Sequence, residues 1–161
     1  MKTINLIFPN QLFKESVHID DTSSHYLIEE KMFFNHFNFH KQKLYFHRCS
    51  MKNYYDFLSQ KKLDLNYINS FEGKSDIRKF IDGLDPNEIN KIKCIDPEDN
   101  WLEKRLKKAC EKKGIEIQLF ENPLFINSKK ELEPFFREDK KKLFQTSFYK
   151  SERNRLGILL D

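Results

Sequence analysis

The stretch KIKCIDPEDNWLEKRLKKACEKKGIEIQLF, Lys91–Phe120, decides the fold. It opens on a short apolar run, KIKCI (91–95), turns at once through DPEDNW, and continues as the charged helical segment WLEKRLKKACEKKG. Gly114 stops that helix, and a second apolar run, EIQLF (116–120), follows. Strand, helix and strand in this spacing form the unit that joins two parallel strands. Upstream the alternation recurs. INLIF (4–8) reads as a strand ending at Pro9, and HYLIEE (25–30) as a second with its carboxylates at the C-terminal end. A long helix is expected to begin between Asn38 and Lys41 and to run to about Lys62, with Leu44, Met51, Tyr55 and Leu58 recurring on one side. LNYINSF (65–71) is a third strand, and SDIRKFIDGL (75–84) a helix with Ser75 as N-cap and Gly83 near its end. The pattern predicts an α/β chain: a Rossmann-like, doubly wound, five-stranded parallel sheet with helices on both faces. After Pro123 no strand follows and the chain ends on LGILLD. We therefore expect an α/β domain over 1–125 and a helical extension over 126–161 whose apolar tail packs on something else.

Composition bounds the function. At 161 residues, with 39% hydrophobic and 34% charged, the chain can bury a real core. A net charge of +4 with interleaved acids is too mild to argue for nucleic acid by itself. Cys49, Cys94 and Cys110 are widely spaced, with no CxxC, and read as reduced thiols of a cytoplasmic protein rather than metal ligands. MKTINLIFPNQLF has too short an apolar run for a signal peptide, and no segment is long enough to span a membrane.

In doubly wound folds ligands bind beyond the C-terminal ends of the strands, near the switch in strand order. There, PNQLFKES follows the first strand, with no GxGxxG; neither GxxxxGK nor GxSxG occurs, and no aspartate ends strand one. Asp20 and Asp21 read as turn residues. Common oxidoreductase, kinase and hydrolase chemistries lose their support.

The conspicuous segment is EEKMFFNHFNFHKQKLYFHRCSMKNYY, Glu29–Tyr55. If its helix reaches far enough back, His36, His40 and His47 share one face with Lys43, Ser50 and Tyr54. Such a face could hold a metal, although only Glu29 and Glu30 are near enough to complete a ligand set. It could also be a helix start packed by Phe37, Phe39 and Phe46, or a pocket for a planar ring with imidazoles and Lys43 at its edge, and both readings stand ahead of the metal. Composition leaves these open.

Motif order adds a resemblance. FHKQKLYFHRCSMKNYYDFL is similar to the HHKxKxxxxxSAMRHF segment of the bacterial deoxyribodipyrimidine photolyase-related proteins, the iron–sulfur bacterial cryptochromes and (6-4) photolyases. His40, Lys41, Lys43, Ser50, Met51 and Lys52 occupy the matching places. Pro9 to Leu12 resembles that family's GDQL. DPEDNWLEKRL resembles its TEPGEWR segment through Pro97, Asn100 and Trp101, and FYKSERNRLGILLD its FYREMRRKTGLLM segment through Phe148, Tyr149, Arg153, Gly157 and Leu159.

The resemblance implies the N-terminal α/β domain of a flavoprotein that repairs ultraviolet lesions in DNA or senses blue light. By the same token FAD, the catalytic residues and an iron–sulfur cluster belong to a helical C-terminal half, the expected partner of this domain. The α/β domain itself would carry no catalytic residue and no metal, and could seat a ribityl-lumazine antenna at the C-terminal edge of its sheet. The implied chromophore-binding residues are Asn10, Gln11, Glu30, Phe33, His36, His40, Lys43 and His47. Three positions depart from the family pattern: Pro9-Asn10 replaces Gly-Asp, Phe33 stands where an acid can stand, and His47 replaces an aliphatic residue. RLKKACEKK (105–113) and KKK (140–142), interrupted by Glu103, Glu111, Glu138 and Asp139, read as solvated faces that give DNA a few rim contacts at most. The competing expectation is a stand-alone nucleotide- or small-molecule-binding module of the same fold.

Overall fold

The computed structural model describes residues 2–160. Five strands, β1 (Lys2–Ile7), β2 (Ser24–Ile28), β3 (Asp64–Ile68), β4 (Ile89–Ile95) and β5 (Glu116–Phe120), form one sheet in the order β3-β2-β1-β4-β5. Every pairing is parallel. The helices are α1 (Lys31–Phe34), α2 (Lys41–Ser59), α3 (Ile77–Asp82), α4 (Asn100–Lys113), α5 (Lys129–Leu132) and α6 (Gln145–Leu156). This is the doubly wound α/β fold that the alternation predicts, and its switch point lies between β1 and β4.

Strand side chains alternate between faces, so the sheet feeds two cores. Ile4 and Leu6 of β1 and Ile28 of β2 join Phe80 and Ile81 of α3 and Leu102, Leu106 and Cys110 of α4. Ile7 and Leu27 face the other way, onto Met51, Tyr54 and Leu58 of α2. Each fully buried Leu or Ile contributes about 1.5–3 kcal/mol. Tyr54 belongs to this second core, with its hydroxyl donating to the Phe13 carbonyl (2.6 Å), and not to a histidine-bearing stripe.

The connection from β1 to β2 carries no helix. Residues 8–23 run instead across the α2-side face of the sheet, tied down by polar contacts. Lys93 of β4 donates to Asp20 (2.9 Å), and the buried His18 ring lies 6.1 Å from that of Phe120. On the same face the Asn5 and His25 side chains meet at 3.0 Å. An irregular crossover must satisfy its own backbone and neighbours, which explains why this face is polar where the other is not.

Caps set the helix limits. Asp99 accepts from the Trp101 and Leu102 amides at the start of α4. Gly114 (φ 69°) ends it in the left-handed region, and the Ile115 amide reaches back to the Cys110 carbonyl (3.0 Å). For α3 the cap is Asp76, not Ser75, because a 3-10 turn over Gly73–Ser75 shifts the start by one residue. Helix α2 stops at Ser59, since Lys62 already has φ 57°.

The chain divides into two compact units, Met1–Asn122 and Pro123–Asp161. In the second, Ser128 and Glu131 form a capping box on α5, and Arg155 of α6 pairs with Glu131 (2.9 Å) and Glu152 (2.8 Å). The Phe135, Phe136 and Phe148 rings cluster with centroids 4.9–5.2 Å apart. Neither α5 nor α6 buries a residue, and Ile158, Leu159 and Leu160 are exposed. No helix among the described residues is long and apolar enough to cross a membrane.

Candidate functional site

The C-terminal ends of β1, β2 and β4 deliver three segments to one edge of the sheet: Phe8–Gln11, Glu29 onward into α1 and α2, and Asp96–Asp99 leading into α4. At the switch point, side-chain amides bridge the first and third. Gln11 Nε2 donates to the Ile95 carbonyl (2.7 Å), and its Oε1 accepts from the Phe8 amide (3.4 Å). Asn10 Nδ2 donates to the Pro97 carbonyl (3.3 Å), while its Oδ1 is buried without a partner. Gln11 is fully buried.

Glu30 is also fully buried. It caps α1 by accepting from the Met32 amide, and receives the Ile77 amide at 3.4 Å. Burial raises its pKa above the ordinary carboxyl value, against the lowering effect of those amides. His40 caps α2, its Nδ1 accepting from the Gln42 amide (3.2 Å). Gln11, Glu30 and His40 thus serve the backbone at the edge.

The rings stand outside this frame. His36 lies between α1 and α2, so the expected single face of His36, His40 and His47 is not formed: the helix begins only at Lys41. The turn instead carries His36 to α4, with its centroid 5.6 Å from that of Trp101 at 80° and 4.4 Å from Phe37 at 77°. Lys43 Nζ lies 4.0 Å over the Phe39 ring. His47, one turn further along α2, sits 6.2 Å from Phe33 and 6.0 Å from Phe34. Burial, and then the neighbouring Lys43, lower its pKa, so the imidazole is neutral near pH 7. The arrangement is a ledge of flat rings with a neutral imidazole and the Lys43 ammonium beside it. Among the described residues no group of three or more His, Cys, Asp or Glu is placed to hold a metal ion.

Two features escaped the sequence reading. One is Trp101, half exposed on the ledge; its place directly after the fourth strand's loop was the available signal. The other is a buried ion pair behind the ledge. Glu29 has no exposed side-chain surface. It accepts from Arg48 Nε (2.8 Å) and Nη2 (2.6 Å), the Tyr67 hydroxyl (2.8 Å) and the Ser70 amide (2.9 Å). Burial pushes the Glu29 carboxyl up, but Arg48, Ser70 and Tyr67 together outweigh it and hold its pKa below the ordinary value. The network ties β2, α2 and the end of β3 together. Its signal was an acidic pair ending a strand with an arginine in the next helix.

Residues 5–161 match the family described as deoxyribodipyrimidine photo-lyase-related protein. An uncharacterized protein of Acanthamoeba polyphaga mimivirus is 31% identical over 171 residues, a match that covers 100% of this chain and 86% of the relative. With its five parallel strands in doubly wound order and a match across nearly its whole length, this chain belongs to the deoxyribodipyrimidine photo-lyase-related protein family.

Proposed function

We propose that this is the antenna-type α/β domain of a photolyase- or cryptochrome-like flavoprotein acting in light-dependent DNA repair or blue-light sensing, and that it performs no catalysis alone. The observation that carries the reading is the ring ledge at the C-terminal edge of the sheet, where the His36 ring meets those of Phe37 and Trp101. A ribityl-lumazine suits these residues. Its flat ring can stack on aromatic faces, and its edge N–H answers the buried, unpartnered Asn10 Oδ1. Phe33 and His47 would close one side, with His40 and Lys43 facing the polar ribityl chain. When bound, the group absorbs light and passes the excitation to a flavin. The protein residues only hold and orient it. Gln11 and Glu30 act through the backbone they brace.

The partner in this reading is a helical half carrying FAD and an iron–sulfur cluster. The second unit supports it, with a groove of about 330 Å³ lined by apolar residues that include Phe148, Leu156, Ile158 and Leu159. Titrating the chain with a ribityl-lumazine, read by fluorescence anisotropy, tests the seat. Saturable binding that is lost in His47→Trp and weakened in His36→Ala is expected. Binding unaffected by both variants would remove the ledge as the seat.

One observation favours a second reading, a stand-alone small-molecule-binding module. The match covers 86% of the mimivirus relative, which leaves little room there for a helical half. Calorimetry with FMN, ATP and the lumazine separates the two: tight nucleotide binding without lumazine binding selects the module.

A further inference from the structure

On the sheet face opposite α2, helices α3 and α4 bound a groove of about 610 Å³. Its walls carry six cations, Arg78, Lys79, Lys104, Arg105, Lys108 and Lys112, against a single carboxylate, Asp82. Trp101, 54% exposed, also lines it. Of the acids that interrupt this region in sequence, Glu103 is turned to another face by the helix. Glu103 turns to Lys107 (2.5 Å), and neither it nor Glu111 lines the groove. Asp82 is engaged by Lys112 (3.2 Å), and Arg78 by the buried Asp76 (2.6 Å). Lys79, Lys104 and Lys108 carry no ion pair among the described residues.

Like charges so placed repel one another unless counterions or a polyanion sit among them. On α4 the positions Trp101, Lys104, Arg105, Lys108 and Lys112 recur at helical period, so the cations form a line behind one aromatic ring. From Lys104 to Lys112 that line runs about 12 Å, longer than a single phosphate needs. A row of ammonium groups with an exposed indole at one end is the arrangement that takes an unpaired base on the ring and successive phosphates along the row.

We propose that the α3–α4 groove binds single-stranded nucleic acid, with Trp101 stacking a base and Lys79, Lys104 and Lys108 neutralising the backbone beside it. The groove shares Trp101 with the ring ledge, so a base and a flat ring compete for that indole, whereas Lys79, Lys104 and Lys108 belong to the groove alone. Duplex is disfavoured because its bases are already stacked and cannot reach the indole.

Trp101 is the sole tryptophan of the chain, so its fluorescence reports directly from the groove. Titration of the full chain with oligothymidylate is expected to quench it saturably. Neutralising three phosphates gives a slope of log K on log salt of about −2, and Lys104→Gln with Lys108→Gln reduces it to about −0.7. That double variant should also bind at least tenfold more weakly while leaving lumazine binding unchanged, so the two sites fail separately. The proposal is overturned if the variant binds oligothymidylate as the parent does. Equal quenching by thymidine triphosphate at the same phosphate concentration would overturn it as well, and so would displacement of the strand by inorganic polyphosphate with no change in indole emission on strand binding.

Discussion

Replacing Arg48 with Met keeps the aliphatic stem and removes the only cation on Glu29 among the described residues. The carboxylate retains the Tyr67 hydroxyl and the Ser70 amide but stays wholly buried without a counter-charge. Stripping one partner from a buried pair costs about 3–5 kcal/mol. Here the Arg48 side chain is 36% exposed, so water recovers part of that and about 2–3 kcal/mol is expected. In urea this lowers the unfolding midpoint by about 1 M, followed by far-ultraviolet circular dichroism. The cost must depend on pH. In the parent, Glu29 titrates below its ordinary 4.5. It therefore contributes stability above 4.5 that is lost as the pH falls through the lower folded value. In the variant burial dominates and the folded value rises above 4.5, so stability is lost as the pH climbs through that interval. The gap between parent and variant should be widest at pH 7 and shrink by pH 4. An equal gap at both would mean that Arg48 acts through packing on Phe34 and Phe71, and the electrostatic account would be wrong.

Burial, reinforced by the neighbouring His25, lowers the His18 pKa from 6.5 to about 4. Its neutral form stabilises the fold above pH 6.5, and on the order of 2–3 kcal/mol is lost as the pH falls towards 4; His18→Gln should flatten the melting temperature across that range. Asp99→Ala removes the α4 cap and should cost about 1 kcal/mol, with Asp99→Ser recovering most of it in thermal melts. Maleimide at pH 7 should modify the exposed Cys49 alone in the native protein, and all three cysteines in urea. Burial keeps the other two thiols protonated, Cys110 pushed up to about 11 and Cys94 further. Prompt native labelling of Cys94 would show that the sheet opens far more readily than its packing implies.

The parallel sheet with both faces covered was legible because short apolar runs alternate with helical segments, as at KIKCI and EIQLF, although no helix separates β1 from β2. Element ends were less so. Asp76 and Ser75 are both good caps, and only the preceding 3-10 turn chooses between them. The histidine segment misled for a related reason: periodicity places His36, His40 and His47 on one face, but it cannot reveal that residues 35–40 are a turn. That turn is what sends His36 to Trp101, 65 positions away in the chain. The basic run of α4 shows the opposite limit. Interleaved charges look neutralised along the sequence, and only the 100° step of the helix turns Glu103 away from the lysines that line the groove.

The amide bridge at the strand-order switch has a thermodynamic consequence. In many doubly wound domains the backbone amides there stay free until a phosphate arrives, so occupancy and folding are linked. Here the Gln11 side chain already engages the Phe8 amide and the Ile95 carbonyl. No ligand is owed to those groups, and mass action from a nucleotide pool has nothing to pull on at that crevice. Nucleotide arriving at that crevice should leave the domain's melting temperature unchanged, which makes the crevice a fixed part of the scaffold.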